Sequence, residues 1–325
     1  MNNRDPSRVA PKKAVCVGEC MVELARRTDG RFSLAVGGDT FNTAVYLARA
    51  GIATAYITAL GDDPYSQAIL DQAAAENIDT SAVPRLPGRV PGLYLIETDG
   101  AGERSFYYWR DTSPARELFS ETVPQMVQQA FNSAGFIYFS GITLWLYERD
   151  GMGPLLQALA EARLHGARIA FDSNYRTRLW GSDKEGARNA FAYAIALADI
   201  ALPSLADERA LWGDLSPEDV LRRYQGAGVA EIVVKDGAGG AYILESGKMR
   251  HIPVPDEVTA VDTTAAGDSF NAAYLAARWK GASRGEAVLL GHRVSAVVVS
   301  YPGAIVPGEA TAPLLDDLRE RVSPW

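Results

Sequence analysis

One segment places small residues and a carboxylate directly before a predicted helix. Residues 262–270 read Asp-Thr-Thr-Ala-Ala-Gly-Asp-Ser-Phe, and a helical pattern continues through 271–280. Free N–H groups and the dipole at a helix start suit a phosphate or another developing anion. Asp268 could then remove a proton from a hydroxyl that attacks phosphorus. The spacing alone favours a structural role, in which Thr263 or Thr264 caps the helix and Asp268 complements its dipole.

Other polar residues lie at the ends of predicted strands or the starts of helices. Asp39 and Asn42 begin a predicted helix, where capping is the default interpretation. Asp172 and Asn174 follow a strand, at the edge where open α/β sheets bind ligands. The glycine-rich stretch 235–241 also follows a strand, and its sequence fits a loop that approaches a nucleotide and a tight turn between strands equally well.

The elements that must position these residues alternate between strand and helix. This rhythm predicts an α/β fold with a largely parallel sheet covered by helices on both faces. The predicted strands are 14–17, 53–60, 136–139, 168–171, 200–202 and 231–234. The predicted helices are 39–50, 64–76, 154–165, 184–198 and 217–224.

Two segments interrupt the alternation. Residues 19–36 resemble a hairpin with its turn at 28–30, and residues 92–97 and 104–110 resemble a second one. Both could be surface decoration, or together they could form a small sheet that acts as a lid.

Composition excludes several classes of protein. The chain has 325 residues, with 32 Lys and Arg against 40 Asp and Glu, which gives a net charge of −8. This balance argues against nucleic acid or an anionic membrane as the main partner. Neither a signal peptide nor a spanning helix is predicted, so we expect a soluble, cytoplasmic protein. Cys16 and Cys20 fit ordinary thiols of a reducing compartment.

Two of the segments resemble the signatures of one family. Residues 262–270 are similar to the D-T-x-G-A-G-D-x-F element of the ribokinase-like, or PfkB, carbohydrate kinases. Residues 37–42 resemble their G-G-x-x-x-N element. The resemblance covers roughly 14–310 and implies a ribokinase-like three-layer α/β/α core with a mostly parallel sheet and a small β-sheet lid. The implied kinase domain is 14–310, with a discontinuous lid at about 19–36 and 91–112, an N-terminal extension 1–13 and a C-terminal tail 311–325.

The resemblance implies an ATP- and Mg²⁺-dependent sugar kinase. Asp268 would be the base, and the backbone of Ala265, Ala266 and Gly267 would stabilise the transferred phosphoryl group. The implied substrate-binding residues are Gly37, Gly38, Asp39, Asn42, Tyr94, Tyr108, Arg110, Arg176 and Asp268. The implied nucleotide-binding residues are Asn174, Arg176, Lys235, Gly237, Gly240, Ala265 and Gly267.

Three features narrow the choice of substrate among those used by the family. Ala265 replaces the usual glycine, as in members that phosphorylate 2-keto-3-deoxygluconate, and residues 172–180 and 107–110 resemble segments of those members. These features imply transfer to the C6 hydroxyl, giving 2-keto-3-deoxy-6-phosphogluconate and ADP. The planar forks of Arg110 and Arg176 suit the carboxylate of such a substrate. For either arginine a surface ion pair is the alternative, and the lid tyrosines could instead pack the lid or a dimer interface.

The sequence specifies the metal ligands and the quaternary structure less closely than the other features. The family's N-x-x-E element is replaced by Ser204 and Asp207, so Asp207 and Glu208 are the metal candidates, acting through water. Both also suit the first turn of a helix. The expected assembly is a homo-oligomer, a dimer or a tetramer, formed through the lid. The alternatives are a fructokinase, a ribokinase, a 5-keto-2-deoxygluconokinase, or a non-catalytic sugar-binding protein on the same fold.

Overall fold

The computed structural model describes residues 12–27, 29–98, 104–120, 122–214, 216–255 and 258–319. Several expectations fall partly outside these ranges, namely the extension 1–13, the tail 311–325, and the tips of the two predicted hairpins. Residues 311–319 of the predicted tail belong to the last helix. The predicted domain boundaries stay predictions.

Fourteen strands form three sheets in the described part of the chain. In chain order they are β1 (Lys13–Val17), β2 (Met21–Arg26), β3 (Phe32–Gly37), β4 (Thr54–Ile57), β5 (Leu60–Gly61), β6 (Arg85–Leu86), β7 (Leu93–Thr98), β8 (Arg104–Trp109), β9 (Ala134–Ser140), β10 (Arg168–Asp172), β11 (Ile200–Ala201), β12 (Glu231–Lys235), β13 (Ala241–Glu245) and β14 (Lys248–Ile252).

The large sheet is mostly parallel. Its order is β14-β13-β12-β11-β10-β9-β1-β4, and only the pairings of β13 with β12 and β14 are antiparallel. All residues of β9 are buried and most are apolar, as a strand covered on both faces requires. The carboxyl ends of the parallel strands of the large sheet therefore share one edge, where a ligand site is expected.

Twelve α-helices accompany the strands in the described ranges. They are α1 (Asp39–Arg49), α2 (Pro64–Ala75), α3 (Gln125–Asn132), α4 (Gly141–Leu146), α5 (Met152–Leu164), α6 (Thr177–Trp180), α7 (Lys184–Leu197), α8 (Leu205–Trp212), α9 (Pro217–Gly226), α10 (Ala266–Trp279), α11 (Arg284–Val299) and α12 (Gly308–Arg319).

Alternating side chains of the strands divide the interior into two cores. Along β1, Val15 and Val17 pack with helices that include α5 and α7, whereas Ala14 and Cys16 pack with helices that include α1 and α10. This arrangement confirms the expected three-layer α/β/α core. Among the described residues, no helix is long and apolar enough to cross a membrane.

The two interrupting segments form the small sheet, called the lid below. Its order is β3-β2-β7-β8, with β2 parallel to β7 and antiparallel pairs at both edges. The separate small sheet is thus confirmed. Its inner face carries Glu23, Tyr94 and Tyr108, because these residues lie opposite one another across the ladders.

Candidate active site

Helix α10 begins with an unusual backbone conformation. Ala265 has a φ of 59°, in the left-handed region, and no side chain in the described protein caps the helix. Asp262 fixes the preceding loop, because its carboxylate accepts hydrogen bonds from the amides of Thr264 (2.8 Å) and Gly303 (2.6 Å). The alternative of a cap from Thr263 or Thr264 is therefore wrong.

The first turn of α10 is open at Gly267. This residue is exposed, and a Cβ built on it would lie 3.8 Å from the Nζ atom of Lys235. The Ala266 amide donates to the carbonyl of Thr263 at 3.3 Å, so that amide has a partner within the turn. A helix start without a cap, next to an ammonium group, provides the open cradle that a phosphate group requires.

Asp268 lies in this first turn, half-buried, and is held by the first helix of the chain. The Nδ2 atom of Asn42 donates a 2.8 Å hydrogen bond to its Oδ2 atom. Burial, followed by the charge of Asp39, raises the pKa of Asp268 to about 8, and the charge of Asp172 adds to this rise. The hydrogen bond from Asn42 and the charge of Lys235 oppose it. A carboxylate with a pKa near neutrality fits a general base.

Asp39 is part of a hydrogen-bond network rather than a helix cap. Its Oδ2 atom accepts hydrogen bonds from Ser140 Oγ at 2.5 Å and from Asn174 Nδ2 at 2.7 Å. Burial raises the pKa of Asp39. Since α1 begins after Gly38 without a side-chain cap in the described protein, the default capping interpretation is wrong.

Lys235 joins three elements at the end of the sheet. Its Nζ atom lies 3.0 Å from Asp172 Oδ1 and donates to Asn271 Oδ1 at 2.8 Å. Asn271 in turn donates to Asp172 Oδ2 and to the Tyr138 hydroxyl, both at 2.9 Å. The ammonium group is thus fixed between the strand ends and Gly267.

The sugar motif forms a narrow corner beneath the lid. A Cβ on Gly37 would lie 2.6 Å from the hydroxyl oxygen of Tyr94, and a Cβ on Gly38 would lie 2.2 Å from the carbonyl oxygen of Glu19. Gly38 therefore requires glycine, because the clash is with backbone, whereas a side chain at position 37 would have to displace the hydroxyl of Tyr94. The rings of Tyr94 and Tyr108 lie 5.9 Å apart on the inner face of the lid.

The two candidate arginines differ in environment. Arg110 is buried, is ion-paired with Glu19, and stacks 4.9 Å from the ring centroid of Trp145. The side chain of Arg176 is 53% exposed. Burial raises the pKa of Tyr108, and the charges of Arg110 and Arg176 oppose that rise. Arg110 lies 5.8 Å from the ring centroid of Tyr108, whereas Arg176 pairs with Asp207 at 3.6 Å.

The two metal candidates point to different surroundings. Asp207 Oδ1 lies 3.6 Å from Arg176, close to the site, and burial raises its pKa. Glu208 is fully buried, and its oxygens accept hydrogen bonds from Arg223 Nη1 (2.9 Å) and the Tyr224 hydroxyl (2.8 Å). The expectation for Glu208 is corrected, because both of its oxygens are engaged away from the cleft.

The donor set fits a weakly held magnesium ion. No cluster of three or more His, Cys, Asp or Glu side chains capable of holding a metal occurs within the described ranges. Mg²⁺ that arrives with nucleotide phosphates keeps most of its water and needs few protein oxygens. Asp207 is the carboxylate that fits this requirement.

The glycine turn after β12 has a clear structural requirement. Gly240 has a φ of 94°, and a Cβ there would lie 2.5 Å from the carbonyl oxygen of Ile252. Gly237 has a φ of 54°, and a Cβ built on it would meet no heavy atom of the described residues within 4 Å, its chain neighbours aside. The turn between β12 and β13 is thus real, and the nucleotide contact of Gly237 and Gly240 stays a prediction.

Several polar residues of the cleft were not singled out from sequence. Glu19, Glu23, Ser140 and Asn271 all contact predicted site residues. Two signals were available: Glu19 follows the first strand at the ligand-binding edge, and Glu23 interrupts an apolar face of a lid strand.

Comparisons with known proteins agree with this geometry. The sequence profile of the pfkB family of carbohydrate kinases matches residues 11–311. The chain is 42% identical to 2-dehydro-3-deoxygluconokinase of Escherichia coli (strain K12) over 92% of its length and 98% of that protein. It is 41% identical to the enzyme of the same name from Dickeya dadantii, over the same shares. A structure of fructokinase with bound ATP from Xylella fastidiosa superposes with a TM-score of 0.80 at 21% identity, covering 95% of this chain and 98% of that one.

Proposed function

The chain belongs to the pfkB family of carbohydrate kinases, and from this premise we propose that it transfers the γ-phosphoryl group of ATP to 2-keto-3-deoxygluconate. The acceptor is the C6 hydroxyl, and the products are 2-keto-3-deoxy-6-phosphogluconate and ADP. The observation that carries the proposal is Asp268, a half-buried carboxylate of raised pKa in the first turn of an uncapped helix, below the lid.

Asp268 acts as the general base in this reaction. Its carboxylate accepts the proton of the C6 hydroxyl while that oxygen attacks the γ-phosphorus. Asn42 keeps the carboxylate oriented through its 2.8 Å hydrogen bond, and its buried Oδ1 atom, which has no partner within the described residues, is available to a sugar hydroxyl. Asp39, fixed by Ser140 and Asn174, borders the same space.

The opposite side of the cleft binds the nucleotide. The amides of Gly267 and Asp268 and the ammonium group of Lys235 stabilise charge on the transferred phosphoryl group. Asp207 would hold Mg²⁺ through water, and the ion would supply positive charge that neutralises the phosphates. Asn174 and the turn at Gly237 complete the nucleotide side, whereas Arg176 is assigned to the carboxylate of the sugar acid.

The arginines give a physical reason for an acidic substrate. Arg110 lies 5.8 Å from the ring centroid of Tyr108, which packs 5.9 Å from the ring of Tyr94 beside Gly37, and the charge of Arg176 also acts on Tyr108. A neutral sugar requires neither cation, whereas a carboxylate accepts hydrogen bonds from both. This feature favours the sugar acid over fructose or ribose.

We further propose that two copies pair through their lids. Four large apolar side chains of the outer lid face are each about half exposed or more: Phe32 (48%), Leu34 (54%), Tyr107 (47%) and Trp109 (60%). They lie on one face because they alternate with inner-face residues along β3 and β8. An apolar sheet face of this kind is covered well by a second copy of itself.

A test of the base uses Asp268→Asn, which keeps the shape of the side chain. We expect kcat to fall by about a hundredfold to ten-thousandfold, because the asparagine amide cannot accept the proton. Asp71→Asn, on an exposed surface of α2, serves as the control. Retained turnover in Asp268→Asn, measured as ADP release and by phosphorus NMR of the product, contradicts the proposed mechanism.

A further inference from the structure

One exposed histidine outside the family motifs contacts the glycine turn that follows β12. His251 lies in β14, directly opposite Tyr242 of β13. Its Nε2 atom lies 2.7 Å from the carbonyl oxygen of Gly239. Because a carbonyl oxygen only accepts, Nε2 carries the proton and donates this hydrogen bond. The imidazole therefore connects a strand at the end of the large sheet to the backbone of the turn.

The imidazole ring is itself held in one orientation. The rings of His251 and Tyr242 lie 4.6 Å apart, with an angle of 28° between their planes. Stacking of aromatic rings at this separation is favourable, so the tyrosine fixes the direction of the imidazole. The hairpin of β13 and β14 thus aims a hydrogen-bond donor at Gly239.

The turn is held by short-range hydrogen bonds and contains three glycines. The amide of Gly239 donates to the carbonyl of Asp236, and the amide of Asp236 donates to the carbonyl of Gly240, both at 2.8 Å. Gly237 and Gly240 have φ values of 54° and 94°. Glycine has many accessible conformations, so a turn rich in glycine loses much entropy when it adopts one of them. A hydrogen bond from a neighbouring strand lowers the population of the competing conformations.

The turn lies beside the phosphate cradle at the start of α10. It begins directly after Lys235, and a Cβ built on Gly267 would lie 3.8 Å from the Nζ atom of that lysine. The ammonium group of Lys235 is fixed by Asp172 and Asn271. Residues 237–239 are exposed. Since the chain is fixed at Lys235, the conformation of the turn decides how these exposed peptide groups face a nucleotide.

We propose that His251 is a positioning residue for ATP, because its hydrogen bond to the Gly239 carbonyl holds the turn in the conformation that binds the nucleotide. This proposal rests on the proposed function, since it requires the turn to contact ATP. A protein that adopts its binding conformation only part of the time has an apparent affinity reduced by that fraction. Loss of the hydrogen bond therefore weakens nucleotide binding and leaves the sugar site at Gly38 and Asn42 unchanged.

Two variants separate the hydrogen-bond donor from the ring. His251→Phe keeps an aromatic ring against Tyr242 and removes the donor, whereas His251→Gln removes the ring and keeps an N–H group near the position of Nε2. The first readout is the Kd for the magnesium complex of a non-hydrolysable ATP analogue, measured by isothermal titration without sugar. We expect this Kd to rise roughly threefold to tenfold in His251→Phe, the range that one neutral hydrogen bond supplies.

Steady-state kinetics gives a second readout that a merely structural role would not produce. In His251→Phe the KM for ATP should rise by about the same factor as the Kd. Its kcat and its KM for the sugar acid should stay within about twofold of wild type. His251→Gln should return the Kd and the KM for ATP to within about twofold of wild type, because the amide donates to the same carbonyl.

His165→Phe is the matched control. His165 is also exposed, and its Nδ1 atom lies 2.9 Å from the carbonyl oxygen of Glu161. It follows α5 and precedes β10, so it lies at the amino ends of the parallel strands, at the edge opposite the site. The variant removes the same kind of contact and should leave the Kd for the nucleotide unchanged.

Two results overturn the proposal. A Kd in His251→Phe within about twofold of wild type shows that the turn does not need the hydrogen bond, whatever the change in thermal stability. Equal losses in His251→Phe and His251→Gln show that the donor is not the feature that matters. A wild-type protein that binds the nucleotide but releases no ADP with 2-keto-3-deoxygluconate overturns the proposed function alone, because the titration is made without sugar. A wild-type protein that does not bind the nucleotide overturns both.

Discussion

The hydrogen bond from Asn42 to Asp268 allows a quantitative prediction about the pH dependence of the kinase. The amide donor lies 2.8 Å from the carboxylate and favours its charged form, so Asn42→Ala should raise the pKa of Asp268 further. A hydrogen bond to a charged group contributes about 1.5–3 kcal/mol, which corresponds to a shift of roughly one to two pKa units. The acidic limb of the profile of kcat/KM against pH should therefore move from near pH 8 toward higher pH.

The sign follows from the role of the base. Only the ionised form of Asp268 accepts a proton, so kcat/KM for the sugar acid decreases as pH falls below the pKa of the free enzyme. The loss of kcat/KM in Asn42→Ala, relative to wild type, should be largest near neutral pH and should shrink as pH rises. Part of the loss, from the sugar contact of Oδ1, should be independent of pH.

The assay is ADP release with saturating ATP and Mg²⁺, measured from pH 6 to 10 at several concentrations of sugar acid. Tyr94→Phe is the control, because it removes a hydroxyl on the sugar side without changing the hydrogen bond to Asp268. It should raise KM and leave the limb in place. An acidic limb at the same pH in wild type and Asn42→Ala would refute the assignment of that limb to Asp268.

Three other predictions follow from the site and the lid. Arg110→Ala and Arg176→Ala should each raise KM for the sugar acid by about tenfold or more, and KM for ATP far less, because a charge-assisted contact to the carboxylate is lost; equal effects on both constants contradict the carboxylate assignment. Ala265→Gly should stabilise the protein by about 1 kcal/mol in urea unfolding, because a left-handed φ of 59° strains alanine but not glycine; an unchanged or lower stability argues against that strain. Trp109→Asp should convert a dimer into a monomer, as measured by light scattering. A wild-type protein that is a monomer would contradict the proposed pairing through the lid.

Much of the fold follows from short-range patterns in the sequence. The alternation of apolar strands and amphipathic helices depends on local periodicity, and both lid hairpins carry their own turn signals. Local patterns predict the ends of strands and helices less accurately than their existence. The predicted strand 53–60 ends at Ile57, since the chain then turns into a separate two-stranded ladder that begins at Leu60. The helix predicted from 271 begins at Ala266, because its first turn consists of small residues without an apolar pattern.

The site was predictable where a motif brings its residues together along the chain. Asp268 and Asn42 come from such motifs, although the hydrogen bond between them spans 226 positions. The support around them was not predictable, because it depends on contacts between distant elements. Asn271 meets Asp172 across 99 positions, and Glu23 meets Tyr94 across 71. No local pattern encodes which buried amide faces which carboxylate.

The central claim is that the protein phosphorylates 2-keto-3-deoxygluconate. The most direct test is ADP release by the purified protein with ATP and Mg²⁺, compared across 2-keto-3-deoxygluconate, its galactonate epimer, gluconate, fructose and ribose. We predict a strong preference for the keto-deoxy acids in kcat/KM, as expected if Arg110 and Arg176 bind the carboxylate. A preference for fructose or ribose, or no ADP release with any of the five compounds, would contradict the claim.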